Sequence, residues 1–269
     1  MRIFLSTNDN VGAVDTGKAN RYGNWLVERV SETGSTNADL LKAAENGAPN
    51  RSVLVTDHQT AGRGRLGRVW EAPPGTNLLV STLFRDVTDH AHRLTQHLGL
   101  AAAFVLRDSF GIDAGLKWPN DVVVSLGGDD VKIAGILAQS TVSSAAGVHV
   151  VVGMGLNVGW APPADVAIAT CVNNVKAPGS ANLTPFDILQ LILRRFDEIE
   201  GLSPSESFGA YRASLRTLGK NVKCDMPDGT HITGRAVDID TNGRLQVLDE
   251  CAITHHIDTA DVVHLRNVQ

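Results

Sequence analysis

Hydrophobic positions fall into a few long runs separated by turn chemistry. His92–Phe110 is rich in Ala and Leu and is stopped by Gly111, which predicts a long helix. A second helix is predicted from Thr184-Pro185 to about Gly201, with apolar positions Phe186, Ile188, Leu189, Leu191, Ile192, Leu193, Phe196 and Ile199. Its proline falls in the first turn, where the missing N–H costs little. Ser205–Leu215 predicts a third helix, and Asn24–Val30 a short one. Ala38–Glu45 is a further helix, entered through Gly34-Ser35-Thr36-Asn37 and closed by Asn46-Gly47. Strands are predicted at Ser52–Thr56, Asn77–Phe84, Leu116–Trp118, Asp121–Ser125, Lys132–Gln139 and Val148–Val152, with a hairpin turn at Leu126–Asp130. A looser stretch runs from Ala161-Pro162-Pro163 to about Leu183.

The texture changes at Leu218-Gly219. Beyond it come short alternating segments split by Pro227-Asp228-Gly229 and Thr241-Asn242-Gly243, both hairpin signals. Three regions are expected: an N-terminal arm without periodicity over residues 1–24, an α/β (α+β) domain over 25–217, and a small all-β domain over 218–269.

Composition narrows the function. The chain has 269 residues, 43% hydrophobic and 20% charged, with net charge -5. That supplies a sizeable core and argues against a dedicated duplex-DNA binder, which is usually basic. Cys171, Cys224 and Cys251 are few, odd in number and far apart, so neither a disulfide framework nor a zinc site is expected. Residues 1–23 contain no apolar signal core, and no apolar run approaches the ~18 residues that span a membrane. The cytoplasm is the expected compartment.

Against this acidic background Gly62-Arg63-Gly64-Arg65-Leu66-Gly67-Arg68 stands out. Glycine lets a loop approach a ligand closely, and arginine offers a donor fork that fits phosphate and carboxylate. A nucleotide ligand and a nucleic-acid patch both fit the loop by itself, as does a merely solvated basic loop. Few aromatics interleave with the arginines, which weakens the nucleic-acid reading.

Other polar clusters interrupt apolar segments. Thr33-Gly34-Ser35-Thr36-Asn37 puts hydroxyls and an amide at a helix start, where backbone N–H groups are unpaired. Gln59 precedes the arginine loop. In Lys117-Trp118-Pro119-Asn120-Asp121, Lys117 can meet phosphate, and Asp121 can orient that lysine or help hold magnesium. Lys132 opens the strand Lys132-Ile133-Ala134-Gly135-Ile136-Leu137, where Gly135 suggests close approach by another group. Gly153-Met154-Gly155-Leu156-Asn157-Val158 lacks the third glycine and following helix of a dinucleotide fingerprint. Its small residues would let a ligand ring lie on the sheet, with Asn157 reaching a polar group. Each cluster taken alone also reads as a cap, a turn or an edge charge. No nucleophile elbow, Walker loop or zinc cluster is present.

In this order and spacing the motifs resemble those of the biotin protein ligases, over roughly residues 30 to 266. The resemblance implies a class II synthetase-like catalytic domain with a mixed sheet and flanking helices, followed by an SH3-like β barrel. It implies ATP-dependent attachment of biotin to a lysine of a biotin carboxyl-carrier protein through biotinyl-5'-AMP, with Mg2+. Lys132, Arg65 and Arg68 would be catalytic. Ser35, Thr36, Asn37, Gln59, Arg63, Gly64, Arg65, Trp70, Lys132, Gly135, Gly153 and Gly155 would surround biotin. Arg65, Arg68, Trp70, Lys117, Asn120 and Asn157 would meet the nucleotide, with Asp121 near metal or lysine. The arginine loop would order over its ligand.

Some members of the family carry an N-terminal DNA-binding domain. The residues before the first motif here lack two amphipathic helices, so the monofunctional form is expected, as monomer or homodimer, without nucleic acid or membrane partners. Gln139 stands where an acid often follows the strand. A lipoate–protein ligase and a non-catalytic biotin or nucleotide sensor are the alternatives.

Overall fold

The structure is a computed structural model, and it describes residues 19–88, 91–143, 147–258 and 260–265. Residues 1–18, most of the expected arm, lie outside these. The remainder of that arm holds strand β1 (Asn20–Tyr22). It pairs antiparallel with β2 (Trp25–Thr33), so the short helix expected at Asn24–Val30 is instead a strand. Trp25 and Val27 are both buried, the alternation of period two, and β2 gains a parallel partner in β3 (Ser52–Gln59). A polar run interrupted by Trp25-Leu26-Val27 fits either period over so short a length.

The other strands of the first sheet are β4 (Leu78–Phe84), β5 (Ala114–Lys117), β6 (Asp121–Leu126), β7 (Asp129–Ser143) and β8 (Gly147–Leu156). The order is β1-β2-β3-β4-β8-β7-β6-β5. Among the described strands only the β2–β3 pair is parallel, which makes the sheet mixed.

Helix α1 (Thr36–Glu45) covers one face. Its Leu40, Ala43 and Ala44 meet Leu54, Leu83 and Val151. The opposite face carries α2 (His92–Phe110) and α4 (Pro185–Glu200), in one core with Val53, Val55, Val80 and Val152. Two covered faces explain why β4 is buried along its whole length and reads as one apolar run. Short α3 (Val172–Val175) precedes α4, and α5 (Pro204–Ser214) follows it. Thr184 and Ser203 cap α4 and α5 through reciprocal bonds with Asp187 and Glu206.

A second, antiparallel sheet follows, in the order β12-β11-β10-β9-β13. Its strands are β9 (Asn221–Asp225), β10 (His231–Ile239), β11 (Leu245–Leu248), β12 (Thr254–Ile257) and β13 (Asp261–His264). It sits on the β5–β6 end of the first sheet. There Trp118 Nε1 donates to Gly243 O at 2.9 Å, and Trp118 N donates to Thr217 Oγ1 at 3.0 Å. Among the described residues no helix is long and apolar enough to cross a membrane.

Two histidines are held neutral by this packing. His97 of α2 lies edge-on to Phe196 of α4, 5.8 Å between ring centroids. Burial, reinforced by Arg93 and His92, pulls its pKa to about 4. Burial, with Lys117 and Lys220, takes His264 to about 4 as well, against the opposing pull of Asp130. The unfolded chain binds these protons at an ordinary value near 6.5. Both groups therefore contribute full stability above roughly pH 6.5 and lose it as the pH falls toward about 4. The expected loss is on the order of 1 kcal/mol per pH unit for each histidine. Urea midpoints at neutral pH and at roughly pH 5 check this, and His97→Leu is expected to shrink the difference. A midpoint that stays constant or rises on acidification contradicts the assignment.

Candidate active site

The sheet and the arginine loop enclose a cavity of about 850 Å³. Its wall includes Ser35, Thr36, Asn37, Gln59, Arg63, Gly64, Arg65, Arg68, Trp70, Lys117, Asn120, Asp121, Lys132, Gly135, Gly153, Gly155 and Asn157. The residues singled out in the sequence are thus brought to one place.

The floor is made by strand pairing. In the β7–β8 ladder Gly135 faces Gly155, and Leu137 faces Gly153. A Cβ on Gly155 would lie 2.2 Å from Trp70 Cε2, and one on Gly153 would lie 2.1 Å from Asn37 Oδ1. Side chains from other segments therefore rest directly on the backbone, and any residue larger than glycine would collide with them.

The loop over the cavity is a small hairpin. Trp70 N donates to Gly62 O at 3.0 Å, Gly64 N to Arg68 O at 2.7 Å, and Arg63 bridges Val69. Arg65 Nη1 donates to Asn120 Oδ1 at 3.1 Å and to Ala260 O at 3.4 Å. Arg68 forms an ion pair with Asp261 of β13. The second sheet is therefore part of the site, and Asp261, Val262 and Val263 line the cavity.

Positive charge is concentrated at one end. Lys132 Nζ is 2.6 Å from Asp121 Oδ1 and 5.6 Å from the centroid of the Trp70 ring. Burial pulls the Lys117 pKa down, with Asp121 opposing and Lys132 adding to the effect. Burial likewise acts against the charge of Arg65, offset by Asp261 and Asp121. Cations held out of water with too few carboxylates favour an anionic ligand.

The other end is a polar relay. Gln59 Oε1 accepts from Thr36 N at 2.9 Å and lies 3.0 Å from Thr36 Oγ1. Ser81 Oγ lies 2.7 Å from Thr36 Oγ1 and 2.6 Å from Asn37 Oδ1. Asn37 Nδ2 donates to Leu137 O at 3.1 Å and to Gln139 Oε1 at 2.8 Å.

The three asparagines of the motifs have protein partners of this kind. Asn37 joins α1 to β7, Asn120 donates to Ile136 O at 2.8 Å while accepting from Arg65, and Asn157 donates to Thr170 O at 3.1 Å. Asp121 is engaged by Lys132, and Asp130 by Lys220 and His264. Among the described residues no group of three or more His, Cys, Asp or Glu could hold a metal ion.

Three parts of the site escaped the sequence reading. Ser81 gave a faint signal, a hydroxyl inside a buried apolar strand. Trp160, Pro162, Pro163 and Val166 to Ala169 form a wall of the cavity that the sequence suggested only as a loose stretch, although exposed Val166 and Ile168 hint at a surface awaiting cover. Asp261 gave no signal, because it meets the arginine loop only through the packing of the two sheets.

Residues 26–157 match the Biotin/lipoate A/B protein ligase family, and residues 217–265 match the Biotin protein ligase C terminal domain. The chain is 39% identical over 250 residues to the biotin–[acetyl-CoA-carboxylase] ligase of Mycobacterium tuberculosis, covering 89% of each. The chain belongs to the biotin protein ligase family. Within that family it is also 34% identical to the biotin–[acetyl-CoA-carboxylase] ligase of Paracoccus denitrificans, covering 71% of this chain and 74% of the relative. The bifunctional ligase/repressor BirA of Bacillus subtilis is 29% identical, and the match covers 78% of this chain and 66% of that protein. The biotin protein ligase of Aquifex aeolicus, solved with biotin and ATP, superposes with a TM-score of 0.73 at 27% identity, covering 89% of this chain and 99% of that one.

Proposed function

We infer that this protein activates biotin with ATP and transfers it to a lysine of a biotin carboxyl-carrier domain. The observation that carries the reading is the cavity itself. It sets a polar relay, and a glycine floor on which Trp70 and Asn37 rest, beside Lys132, Lys117 and Arg65.

In the first step a biotin carboxylate oxygen attacks the α-phosphorus of MgATP. The bond to the bridging oxygen breaks, and pyrophosphate leaves with the electron pair. In the second step the neutral amine of the acceptor lysine attacks the acyl carbon of biotinyl-5'-AMP. AMP departs, and the amine gives up its proton. Neither step needs a protein nucleophile. What the first step needs is offset of the repulsion between two anions and alignment of the reacting atoms.

Lys132 is placed to stabilise charge at the carboxylate and α-phosphate, and Asp121 orients it. Arg65, Arg63 and Gly64 close over biotin and the adenylate, with Asn120 fixing Arg65. Arg68 and Trp70 hold the lid against β13 and the floor. Trp70 Nε1 is buried without a hydrogen-bond partner among the described residues. Ser35, Thr36 and Gln59 meet the ureido ring, and Lys117 meets the nucleotide. Asn37 and Asn157 hold the framework on which these contacts depend. Magnesium arrives as the counter-ion of ATP, because the nearby carboxylates already have cationic partners. Exclusion of water by the closed hairpin protects the hydrolysable anhydride. We place the reaction in the cytoplasm, in a monomer or homodimer, with no nucleic acid partner.

ATP–pyrophosphate exchange tests the first step. Exchange is expected with biotin and not with lipoate or without acid. Exchange with lipoate alone would move the chain to the lipoate branch, and none with either acid in folded protein would leave a sensor.

A further inference from the structure

The relay behind the biotin end of the cavity contains more oxygen–oxygen contacts than hydroxyl protons. Three short contacts link Thr36 to Gln59, Ser81 to Thr36, and Ser81 to Asn37, at 3.0, 2.7 and 2.6 Å. Only the hydroxyls of Thr36 and Ser81 can supply protons to them. The amides are fixed by other bonds. The Thr36 backbone N–H requires the oxygen of Gln59 on its side, and the two Asn37 N–H groups are taken by Leu137 O and Gln139 Oε1. Asn37 Oδ1 therefore faces Ser81, and an amide oxygen only accepts. The Ser81 proton goes to it. The remaining short contact, Ser81 to Thr36, is then carried by the Thr36 proton. The longest of the three contacts is left without a proton, at an oxygen that the Thr36 backbone N–H already satisfies. Any other arrangement leaves two oxygens within 2.7 Å of each other with no proton between them.

We propose that Ser81 is a positioning residue: from behind the cavity wall its hydroxyl takes the Thr36 proton away from Gln59 Oε1 and fixes the orientation in which Thr36 Oγ1 accepts from a ureido N–H of biotin. Thr36 lines the cavity and Ser81 does not, so Ser81 acts through Thr36. Ser81 is fully buried. Its two partners lie on α1, so the relay also fixes the start of that helix against β4. The inference rests on biotin being the acid substrate.

The test is a double-mutant cycle of Ser81→Ala and Thr36→Val, read in biotin-dependent ATP–pyrophosphate exchange. Ser81→Ala is expected to raise KM for biotin about tenfold, the scale of one neutral hydrogen bond, with kcat and KM for ATP within about twofold of the parent. Thr36→Val is expected to raise KM for biotin at least as much, and the double variant to be no worse than Thr36→Val. If Ser81→Ala melts below the assay temperature, Ser81→Cys, which fills the site with a weak donor, takes its place in the cycle. An unchanged KM for biotin in the Ser81 variant overturns the proposal, as does full addition of the two effects, provided the parent protein shows biotin-dependent exchange. A parent protein that exchanges without regard to biotin overturns the functional reading along with it.

Discussion

Lys132→Ala is expected to lower kcat/KM for biotin-dependent pyrophosphate exchange by about a hundredfold or more, the scale for removing one donor aimed at developing charge. The ammonium has an anchored geometry, 2.6 Å from Asp121 and over the Trp70 ring, so in the proposed role it would meet the α-phosphate without reorganising. Its removal also leaves Asp121 facing the two substrate anions without its partner, which adds repulsion to the loss. Stability should move little. The pair is only half-buried, with side chains 35% and 23% exposed, and such pairs contribute on the order of 1 kcal/mol or less. A large kinetic loss with a nearly unchanged melting temperature is therefore the signature. Single-turnover formation of the adenylate measures it, and near-parental rates in Lys132→Ala would remove this lysine from the chemistry.

Gly153→Ala is expected to damage both stability and biotin binding. The added methyl would sit 2.1 Å from Asn37 Oδ1 and 3.2 Å from Ser81 Oγ. Asn37 cannot withdraw freely, because its amide is tied to Ser81, Leu137 and Gln139. Overpacking of this kind costs about 1–3 kcal/mol, or several degrees of melting temperature for a chain of this size. Displacement of Asn37 also breaks the relay that orients Thr36, so KM for biotin should rise well beyond the cost of a simple steric clash. Thermal melts with and without biotin separate the two effects: the variant should melt lower and gain less from the ligand. A variant that melts as the parent does and gains as much from biotin would contradict the close contact.

The contrast between what the chain announces and what only the fold supplies runs through the same residues. His92–Phe110 and its stop at Gly111 were legible because a long apolar run and a left-handed glycine are local signals, and the glycine has φ 62°. The hairpin at Leu126–Asp130 was legible for the same reason, with both central glycines at positive φ. β2 was not, because Trp25-Leu26-Val27 is too short to choose a period and is made a strand by its neighbours β1 and β3. In the site, the charged and glycine-rich motifs declared themselves by chemistry that a packed core does not use. Their pairing did not: Gly135 opposite Gly155 is a matter of register, and Arg68 with Asp261 a matter of how two sheets sit together. Ser81 belongs to that class too. Its importance lies in a count of protons, which needs the distances.

The most direct measurement of the whole account is the intact mass of a biotin carboxyl-carrier domain after incubation with this protein, biotin and MgATP. A single added biotinyl group is expected at one lysine. The group is expected to be absent when ATP is omitted and absent when that lysine is replaced by arginine. A carrier domain of unchanged mass, with folded ligase and exchange-competent substrates present, would contradict it.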